Sequence, residues 1–472
     1  MEKRLCLEDI ISSKITVVGL GISNLPLVRF LLDCGATHVS ARDKCERSAL
    51  SPEALSLEGE GVSLILGEGY LDDITEDIIF RSPGVRPDLP ELARAEEGGA
   101  LLTSEMELFF ALCPATVIAI TGSDGKTTTT TLTHKMLSEQ AKRDGTFRAF
   151  LGGNIGFPIL PFVREMKEED FAVVEMSSFQ LQKIRYTPKR AIITNITPNH
   201  LNWHKGYREY IEAKTHILGQ DTHAILNAQN EETAAIADKL QKKTVFSAHM
   251  EKEEMQRRFP DCDKLFLDGE DVIFSHGGVN EKIFELSDVK LVGLHNVENY
   301  MAAFAACEPF IDKDIVKNIA REFSGVEHRL EFIREYKGAR YYNSSIDSSP
   351  MRTATTLSML RGKSIVICGG AAKGLTFELL AEALCKHAKA VVLTGATALD
   401  IEKAILDCEE FPTSELKIYK DSDFTKAALL AHDIASEGDT VVLSPACTSF
   451  DAFKNFEQRG KLFKDIVNSF AE

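Results

Sequence analysis

The chain has 472 residues, which at roughly 150 residues per domain predicts about three domains and excludes a single small module. Hydrophobic residues make up 44% and charged residues 26%, with 31 glycines and 15 prolines, so disordered and fibrous classes are excluded. Acidic residues (71) outnumber basic ones (54), giving a net charge of -17. This charge disfavours nonspecific nucleic-acid binding, because cationic side chains neutralise phosphates in such complexes.

No apolar run approaches the roughly 20 residues that a membrane-spanning helix needs, and charged residues flank the first apolar stretch. We therefore expect a soluble cytoplasmic protein with no nucleic-acid and no membrane partner. Ten cysteines are scattered without a C-x-x-C pair, which disfavours a zinc ribbon or a disulfide framework. Buried, reduced thiols are the expectation.

Apolar runs of strand length recur along the chain, each followed by a loop and a helix-like stretch. They are residues 15–18, 116–120, 171–175, 191–195, 224–227, 365–368, 391–393 and 441–443. Continuous runs rich in β-branched residues are typical of parallel strands covered on both faces. We therefore predict an α/β protein of repeated βαβ units, with ligand sites at the carboxyl ends of the strands.

Domain boundaries are predicted near residues 103 and 324, which gives segments 1–103, 104–324 and 325–472. Apolar residues at helical spacing and a following glycine predict a helix over 23–35. The polar, glycine-containing stretch from about 250 to 290 indicates hairpins rather than βαβ, and so a small antiparallel flap.

The first glycine turn, V-G-L-G-I-S at 18–23, follows a predicted strand and precedes a predicted helix. With Asp43 about twenty residues further on, this pattern alone favours a dinucleotide site and a dehydrogenase. The third glycine of G-x-G-x-x-G is missing, however, because position 24 is Asn.

A second glycine loop, T-G-S-D-G-K-T at 121–127, lies between a predicted strand and a helix-like segment that ends near Leu137. This order directs backbone N–H groups and the positive helix end at one point, as a polyphosphate requires. Lys126 is expected to reach the terminal phosphates and the Thr127 hydroxyl to hold Mg²⁺. Gly-Lys-Thr also occurs by chance in ordinary turns, but the flanking strand and helix favour nucleotide binding. The loop is shorter than the common G-x-x-x-x-G-K-[ST], since position 120 is Ile.

His200 and His204 stand four residues apart, a spacing that would place two zinc ligands on one face of a helix. No glutamate follows the first histidine, so a hydrolytic zinc site is disfavoured.

Several short motifs together resemble the Mur ligase family. They are the second glycine loop, G-G-N-I-G at 152–156, E-M-S-S-F-Q at 175–180, N-I-T-P-N-H at 195–200 and G-L-H-N-V-E-N at 293–299. The run S-P-A-C-T-S-F-D-A-F-K-N-F-E-Q-R-G at 444–460 resembles the D-glutamate-adding members in particular. The resemblance spans almost the whole chain.

This resemblance implies a fold of three domains. They are a Rossmann-like N-terminal domain for a UDP-linked substrate, a central mononucleotide-binding domain with a phosphate loop, and a Rossmann-like C-terminal domain for the amino acid. The implied reaction adds D-glutamate to UDP-N-acetylmuramoyl-L-alanine, in cell-wall precursor synthesis. ATP phosphorylates a carboxylate, and an amine attacks the acyl phosphate through a tetrahedral, negatively charged intermediate. The expected cofactors are ATP and Mg²⁺, with two ions, and the expected partners are these small molecules, bound by a monomer.

The resemblance also assigns residues to roles. The implied nucleotide contacts are Gly122, Ser123, Asp124, Gly125, Lys126, Thr127, Thr128, Asn296, Asn299 and Arg329. The implied metal ligands are Thr127, Glu175, His200 and Lys214, of which the last three act in catalysis together with Lys126. The implied substrate contacts are Ile22, Ser23, Asp43, Ser82, Pro83, Gly84, Asn154, Ser177, Ser348, Lys373, Ser449 and Phe456. Isolated from these motifs, Glu175 would be interpreted as a surface acid and Lys214 or Lys373 as a solvated lysine.

Lys214 aligns with the lysine that this family carbamylates, which turns a cation into an anion able to bind a second Mg²⁺. A lysine ordinarily titrates near 10.4, so the site must lower its pKa by burial or nearby positive charge. Replacing Lys214 by Ala is expected to remove most activity.

Some positions depart from the family pattern. Relatives commonly have Asn-Asp-Ser-Lys where this chain has N-S-S-I at 343–346, so a ribose-contacting acid and a substrate-contacting lysine are missing. Asp347 and Arg352 are the candidates to replace them, and Ser348 to replace a threonine. Asn199 and Asn202 stand where aspartates are usual, and Ser23-Asn24 where relatives have Ser-Gly or Thr-Gly.

Two alternatives stay open on the sequence. Another Mur or folylpolyglutamate-type amino-acid ligase shares the same chemistry, although the 444–460 run argues against it. A catalytically silent nucleotide-binding homologue would explain the substitutions at 344 and 346. It would not explain why six residues with assigned roles are present together: Lys126, Thr127, Glu175, His200, Lys214 and Lys373.

Overall fold

The computed structural model describes residues 5–21, 24–155, 158–201, 203–291, 293–360, 362–371 and 376–470. Four positions singled out above, Ile22, Ser23, Asn202 and Lys373, lie outside these residues. The chain divides into two compact units, Met1–Phe323 and Ser324–Glu472. Within the described ranges, no helix combines the length and the apolar character needed to cross a bilayer.

The first sheet is built from the N-terminal part of the chain. Its elements are α1 (Leu7–Ser12), β1 (Ile15–Val18), α2 (Asn24–Asp33), β2 (Val39–Asp43), α3 (Pro52–Ser56), β3 (Ser63–Leu66), β4 (Ile78–Arg81), α4 (Pro90–Glu97) and β5 (Leu101–Thr103). The strand order is β3-β2-β1-β4-β5, with all neighbours parallel. The order reverses between β1 and β4, so a crevice opens at their carboxyl ends.

The central sheet follows in the same unit. Its elements are α5 (Glu105–Leu112), β6 (Thr116–Thr121), α6 (Lys126–Asp144), β7 (Ala149–Gly153), β8 (Phe171–Glu175), α7 (Ser178–Leu181), β9 (Arg190–Ile193), α8 (Tyr207–Thr215), β10 (His223–Asn227), α9 (Glu231–Ala237), β11 (Lys243–Ser247), α10 (Lys252–Arg258), β12 (Asp263–Asp268), β13 (Asp271–His276), β14 (Val279–Glu285), α11 (Leu294–Cys307) and α12 (Lys313–Glu322). The order is β14-β13-β12-β11-β10-β9-β6-β8-β7. Strand β6 lies between β8 and β9, so the loops that follow these three strands meet at one edge.

The third sheet forms the second unit. Its elements are β15 (Glu331–Tyr336), β16 (Ala339–Asn343), α13 (Pro350–Met359), β17 (Ser364–Gly369), α14 (Glu378–His387), β18 (Ala388–Thr394), α15 (Ala398–Leu406), β19 (Lys417–Lys420), α16 (Phe424–Asp433), β20 (Thr440–Leu443) and α17 (Phe456–Asn468). The order is β15-β16-β20-β17-β18-β19, and only the β15–β16 pair of these described strands is antiparallel. The carboxyl ends of β17 and β20 therefore lie side by side.

The predicted α/β class is confirmed, and each of the eight predicted strands is present. Strands β1, β8 and β17 are buried along their whole length, because apolar, largely β-branched residues face helices on both sides. The predicted flap is correct in its antiparallel hairpins, β12–β13–β14, but these extend the central sheet instead of standing apart from it.

The predicted end of the helix after the second glycine loop is wrong. Helix α6 continues past Leu137 to Asp144 and ends at Gly145, which adopts a left-handed φ of +68° and donates its N–H to the Ala141 carbonyl. The ten cysteines are reduced, as expected, but only four are buried and six are half-buried.

Candidate active site

The second glycine loop, residues 122–125, is held against the end of strand β9. Ser123 donates its N–H to the Asn195 carbonyl at 2.9 Å, and Asp124 donates its N–H to Asn195 Oδ1 at 2.9 Å. Thr194 Oγ1 donates to the Asp124 carbonyl at 2.5 Å. A Cβ on Gly122, whose φ is +149°, would lie 1.9 Å from Thr194 Oγ1, so this close approach requires glycine.

The loop ends where α6 begins, and the N-cap residue of this helix is Gly125, which has no side chain to cap the first turn. Lys126, its first residue, donates from Nζ to the carbonyls of Gly122 (2.9 Å) and Ser123 (2.8 Å), so its ammonium lies over the loop. Thr127 is buried in the same turn and Thr128 is half-buried. Uncapped N–H groups and the positive helix end make this turn suitable for an anion, as the sequence predicts.

Glu175 ends strand β8 and is buried beside the loop. Its Oε1 accepts a hydrogen bond from Asn154 Nδ2 at 2.8 Å, and its backbone carbonyl accepts one from the Asn154 N–H at 2.8 Å. Glu175 Oε2 is buried and has no hydrogen-bond partner among the described residues. A buried carboxylate oxygen without a partner is costly unless a cation binds it, so this atom fits a metal ligand.

Lys214 lies on α8 and is only 1% exposed. Its Nζ donates to the Gly122 carbonyl at 2.7 Å and lies 4.6 Å from the centre of the Tyr210 ring. Burial, aided by the positive charge of Lys126, lowers the pKa of Lys214 to about 6. The amine is therefore mostly neutral at pH 7, which meets the condition that carbamylation sets.

His200 lies in an exposed loop after β9 with a left-handed φ of +55°. Its N–H is bound by Asn199 Oδ1 at 2.8 Å, and its ring centre is 5.0 Å from that of Phe179. His204 is buried in the same loop, and its Nε2 lies 2.9 Å from Ser178 Oγ. The two histidines do not share a helical face, so the zinc hypothesis loses its geometric basis.

The predicted substrate contact Ser177 and the predicted adenine contact Asn299 both form hydrogen bonds within the protein. Ser177 caps α7 by accepting the Gln180 N–H. Asn299 is buried, with Oδ1 accepting from Thr129 Oγ1 at 3.0 Å and Nδ2 donating to Asn296 Oδ1 at 3.2 Å. Asn299 therefore connects α11 to α6 beside the loop, whereas Asn296 is half-buried near the surface.

The crevice of the first sheet contains the first glycine turn. Ser82, which follows β4, donates its N–H to the Val18 carbonyl at 2.8 Å, and a Cβ on Gly19 would lie 2.8 Å from Ser82 Cβ. Pro83 is half-buried and Gly84 exposed beside it. Asp43 Oδ2 accepts the Leu20 N–H at 2.7 Å, so a carboxylate already occupies this turn amide. The turn is thus less suited to a diphosphate than the dehydrogenase hypothesis requires.

The third sheet contains the substitutions noted in the sequence. Ser344 is buried and its Oγ accepts the N–H of Leu330, the residue after the exposed Arg329. Asp347 Oδ2 accepts hydrogen bonds from Thr356 Oγ1 and Ser444 Oγ, both at 2.8 Å. Because this carboxylate is buried and already accepts two hydrogen bonds, Asp347 is not suited to replace the missing acid. Arg352 is exposed and Ser348 half-buried at this edge.

A buried arginine that the sequence analysis missed lies at the same edge. Arg459 donates from Nε to Ser345 Oγ (3.0 Å) and from Nη2 to the carbonyls of Ser345 (2.9 Å) and Cys447 (3.2 Å). Two predicted contacts lie close to it in the chain. Ser449 is buried two residues after Cys447, and Phe456 is the first residue of α17, the helix that carries Arg459. Arg459 is buried and hydrogen-bonds to no carboxylate among the residues that the structure describes, which no sequence pattern could show.

Comparison with known proteins decides the family. Residues 120–307 match the Mur ligase middle domain, and residues 328–447 match the Mur ligase glutamate ligase domain. A UDP-N-acetylmuramoylalanine–D-glutamate ligase of Acetivibrio thermocellus is 42% identical over 97% of both chains. The chain belongs to the Mur ligase family. An enzyme of the same name from Clostridium kluyveri is 43% identical over 96% of both chains.

Solved Mur ligase structures share the fold. The UDP-N-acetylmuramate–alanine ligase of Thermotoga maritima superposes with a TM-score of 0.54 at 19% identity, covering 97% of this chain and 99% of that one. The resemblance between the motifs and the Mur ligases is thereby confirmed at the level of the family and of its α/β architecture.

Proposed function

We propose that this Mur ligase joins D-glutamate to UDP-N-acetylmuramoyl-L-alanine at the expense of ATP. The proposal draws on full-length relatives that carry this activity in their names. One structural observation carries it: the uncapped turn at Lys126, the unpartnered carboxylate oxygen of Glu175 and the buried amine of Lys214 all lie at the carboxyl edge of β6, β8 and β9. Such an arrangement suits phosphoryl transfer, which depends on positioning and on charges placed in advance.

The reaction has two steps in this proposal. The alanyl carboxylate attacks the γ-phosphorus of ATP, which forms the acyl phosphate and releases ADP. The amine of D-glutamate then attacks the acyl carbon, and the tetrahedral adduct collapses to the amide as phosphate leaves and the amine loses a proton. Lys126 stabilises the charge on the transferring phosphoryl oxygens, because its ammonium already lies over the loop.

Two magnesium ions are part of the proposal. Thr127 and Glu175 offer the oxygen atoms that Mg²⁺ prefers, and His200 lies on the loop after the adjacent strand β9. Bound Mg²⁺ would neutralise phosphoryl charge. Asn154 orients the Glu175 carboxylate by bonding one of its oxygens, which leaves the other for the ion.

Carbamylation of Lys214 would supply the ligand for the second ion. The neutral amine adds to CO₂ through a new N–C bond and releases a proton, which gives a carbamate anion. In the structure Nζ donates to the Gly122 carbonyl and to Thr121 Oγ1, and because a carbamate nitrogen keeps only one N–H, carbamylation would leave at most one of these two hydrogen bonds.

The remaining predicted contacts complete the proposal. The crevice at Asp43 and residues 82–84 takes the uridine part, and the edge with Ser348, Ser449 and Phe456 takes the amino acid, together with Lys373. Arg329, Asn296 and Asn299 serve the nucleotide side. The three sheets are proposed to mark three domains, with boundaries near residues 103 and 324, in a monomeric cytoplasmic enzyme.

The test is a coupled assay of ADP release by the full chain with ATP, Mg²⁺ and UDP-N-acetylmuramoyl-L-alanine. D-Glutamate should support turnover, whereas L-glutamate, L-alanine and diaminopimelate should not. The product mass should equal that of both substrates minus one water.

Two lysines on helix α6 provide a matched pair for this assay. Lys126→Ala should lower kcat by about 10³-fold, as expected for loss of one transition-state donor. Lys142→Ala, at an exposed position of the same helix, should retain the activity of the wild type. No ADP release with both substrates would support a silent homologue, and a preference for another amino acid would support another ligase.

A further inference from the structure

The loop after strand β4 is fastened to the loop that carries His200. Arg86 donates to Glu209 through Nη2 (2.9 Å) and Nη1 (3.3 Å), and to Asp88 through Nε (2.8 Å) and Nη2 (3.0 Å). Its guanidinium also lies 4.8 Å from the centre of the Trp203 ring and donates to the Trp203 carbonyl at 2.5 Å. Lys205 pairs with Asp88. These five residues, Arg86, Asp88, Trp203, Lys205 and Glu209, are called the Arg86 cluster.

The cluster connects directly to the proposed uridine crevice. Trp203 Nε1 donates to the Gly84 carbonyl at 3.2 Å, and Gly84 is the last residue of the predicted substrate loop. The bidentate contacts of Arg86 with two carboxylates are the strong, directional kind of ion pair, and the arginine is largely buried. Movement of the substrate loop must therefore displace Trp203 or break this network.

The cluster also connects to His200. The N–H groups of Trp203 and His204 both donate to the His200 carbonyl, at 3.0 and 3.1 Å. The ring of Phe179 packs against His200 at 5.0 Å and against Trp203 at 4.7 Å. Since His200 holds a left-handed backbone conformation, its position depends on these contacts.

A second, parallel connection strengthens the same link. Arg81, buried at the end of β4, donates to the Val85 carbonyl at 3.0 Å and to the Phe179 carbonyl at 3.3 Å. Phe179 is thus linked to the residues that follow β4 in two ways, through the bond from Arg81 to its carbonyl and through its ring contact with Trp203, which bonds to Gly84.

We propose that the Arg86 cluster is a positioning element that couples the crevice of the first sheet to the phosphate site of the central sheet. Uridine-nucleotide binding at residues 82–84 then places His200 for the phosphate site. The inference rests on the proposed function, because it uses the substrate sites assigned there. The cluster residues touch no reacting atom in this scheme. They act through the Gly84–Trp203–His200 chain of hydrogen bonds.

Trp203 is the single tryptophan of the chain, so intrinsic fluorescence reports on this cluster alone. Excitation at the red edge of tryptophan absorption, with no ATP or D-glutamate present, avoids the nine tyrosines. UDP-N-acetylmuramoyl-L-alanine and UDP are titrated in parallel. A saturable change in Trp203 emission is expected with each, and an unchanged emission at concentrations that saturate the enzyme would overturn the proposal.

The coupling itself is measured as the ratio of two dissociation constants. The Kd of a non-hydrolysable ATP analogue with Mg²⁺ is determined with and without saturating UDP-N-acetylmuramoyl-L-alanine. The wild type should bind the analogue about 5-fold or more tightly when the uridine substrate is present, within the usual range of site–site coupling. In Arg86→Ala this ratio should fall to about 1, while the Kd of the analogue alone stays within about twofold.

Control variants separate positioning from stability. Arg208→Ala removes an arginine on the same helix as Glu209, but at a 92% exposed position, and should keep the ratio of the wild type. Trp203→Phe keeps a smaller aromatic ring beside Arg86 and removes the indole donor, so it tests the link to Gly84 if Arg86→Ala fails to fold. A ratio unchanged in both Arg86→Ala and Trp203→Phe, or a ratio near 1 in the wild type, would overturn the inference. Because these measurements need neither D-glutamate nor turnover, a failure of the proposed function stays distinguishable.

Discussion

Two glycine-rich turns, each between a strand and a helix, occur in the first 145 residues. They are the first glycine turn and the second glycine loop, and their backbone amides have different hydrogen-bond partners. In the first turn the Asp43 carboxylate accepts the Leu20 N–H, and Asn24 Nδ2 donates to the Gly19 carbonyl at 2.8 Å. In the second loop, Asn195, which follows β9, accepts the N–H groups of Ser123 and Asp124, and the N-cap of α6 is Gly125, which has no side chain to cap the first turn.

A glycine turn is therefore not by itself a phosphate site. A carboxylate on a turn amide repels a second anion, whereas an uncapped helix start beside a lysine attracts one. The first glycine turn therefore suits a neutral group such as a ribose or a base, and the second glycine loop suits a polyphosphate. Side chains from neighbouring strands, Asp43 from β2 and Asn195 after β9, create that contrast.

The largest effect is expected beneath the second loop, at Lys214. Lys214→Ala should lower kcat by about 10³-fold, because a charge-stabilising group of the phosphoryl-transfer site is lost. Steady-state kinetics with folding checked by circular dichroism measure it. Lys142→Ala serves as the matched control, and retention of the full rate in Lys214→Ala would refute the catalytic assignment.

The next effect concerns the stability of the fold and arises in α5, the helix between the first sheet and the central sheet. Burial raises the pKa of Glu105 to about 7 from an ordinary 4.5. The folded state keeps a proton that the unfolded state releases, so this group makes stability fall as pH rises from 4.5 to 7. Glu105→Gln should therefore gain up to about 3 kcal/mol over the wild type at pH 8, and little at pH 4.

Urea unfolding at the two pH values measures this gain. The exposed Glu168→Gln is the control and should change stability little at either pH. An equal gain for Glu105→Gln at both pH values would contradict the explanation by burial.

The first glycine turn and the second glycine loop should also differ in how well they tolerate replacement of a glycine by alanine. Gly122→Ala places a Cβ against Thr194 and should cost about 2 kcal/mol of stability and weaken ATP binding. At Gly21 an added Cβ meets no described atom within 4 Å, so Gly21→Ala should shift stability by less than about 1 kcal/mol. Thermal unfolding compares the pair, and similar losses at both glycines would remove the contrast.

The smallest effect is expected at Asp43 in the first turn. Asp43→Asn weakens a hydrogen bond to the Leu20 N–H and should raise the KM of the uridine substrate by about 10-fold, with kcat and the KM of ATP unchanged. Initial rates at varied concentrations of each substrate give this split. A comparable rise in the KM of ATP would mean that the first turn serves the nucleotide as well.

Much of this protein could be predicted from local patterns. Apolar runs located the strands, and the T-G-S-D-G-K-T loop indicated its own position between β6 and α6. The same patterns misplaced the end of α6 at Leu137, because the apolar pattern stops there, whereas the helix continues through the mostly polar residues 138–144 to its stop at Gly145. They also indicated Asp347 as a candidate to replace the missing acid, although in the fold it is buried and bonded to two hydroxyl groups.

Local sequence patterns were enough to predict where the parallel strands lie along the chain, to locate the second glycine loop and to indicate the Mur ligase family, because each of these depends on residues close together in the chain. The folded chain was needed to show that Lys214 is buried, that Asn154 bonds one oxygen of Glu175, and that Arg86 reaches Glu209. Each of these contacts joins residues that are distant in sequence. Burial and charge pairing depend on which strands become neighbours, and no local pattern contains that information.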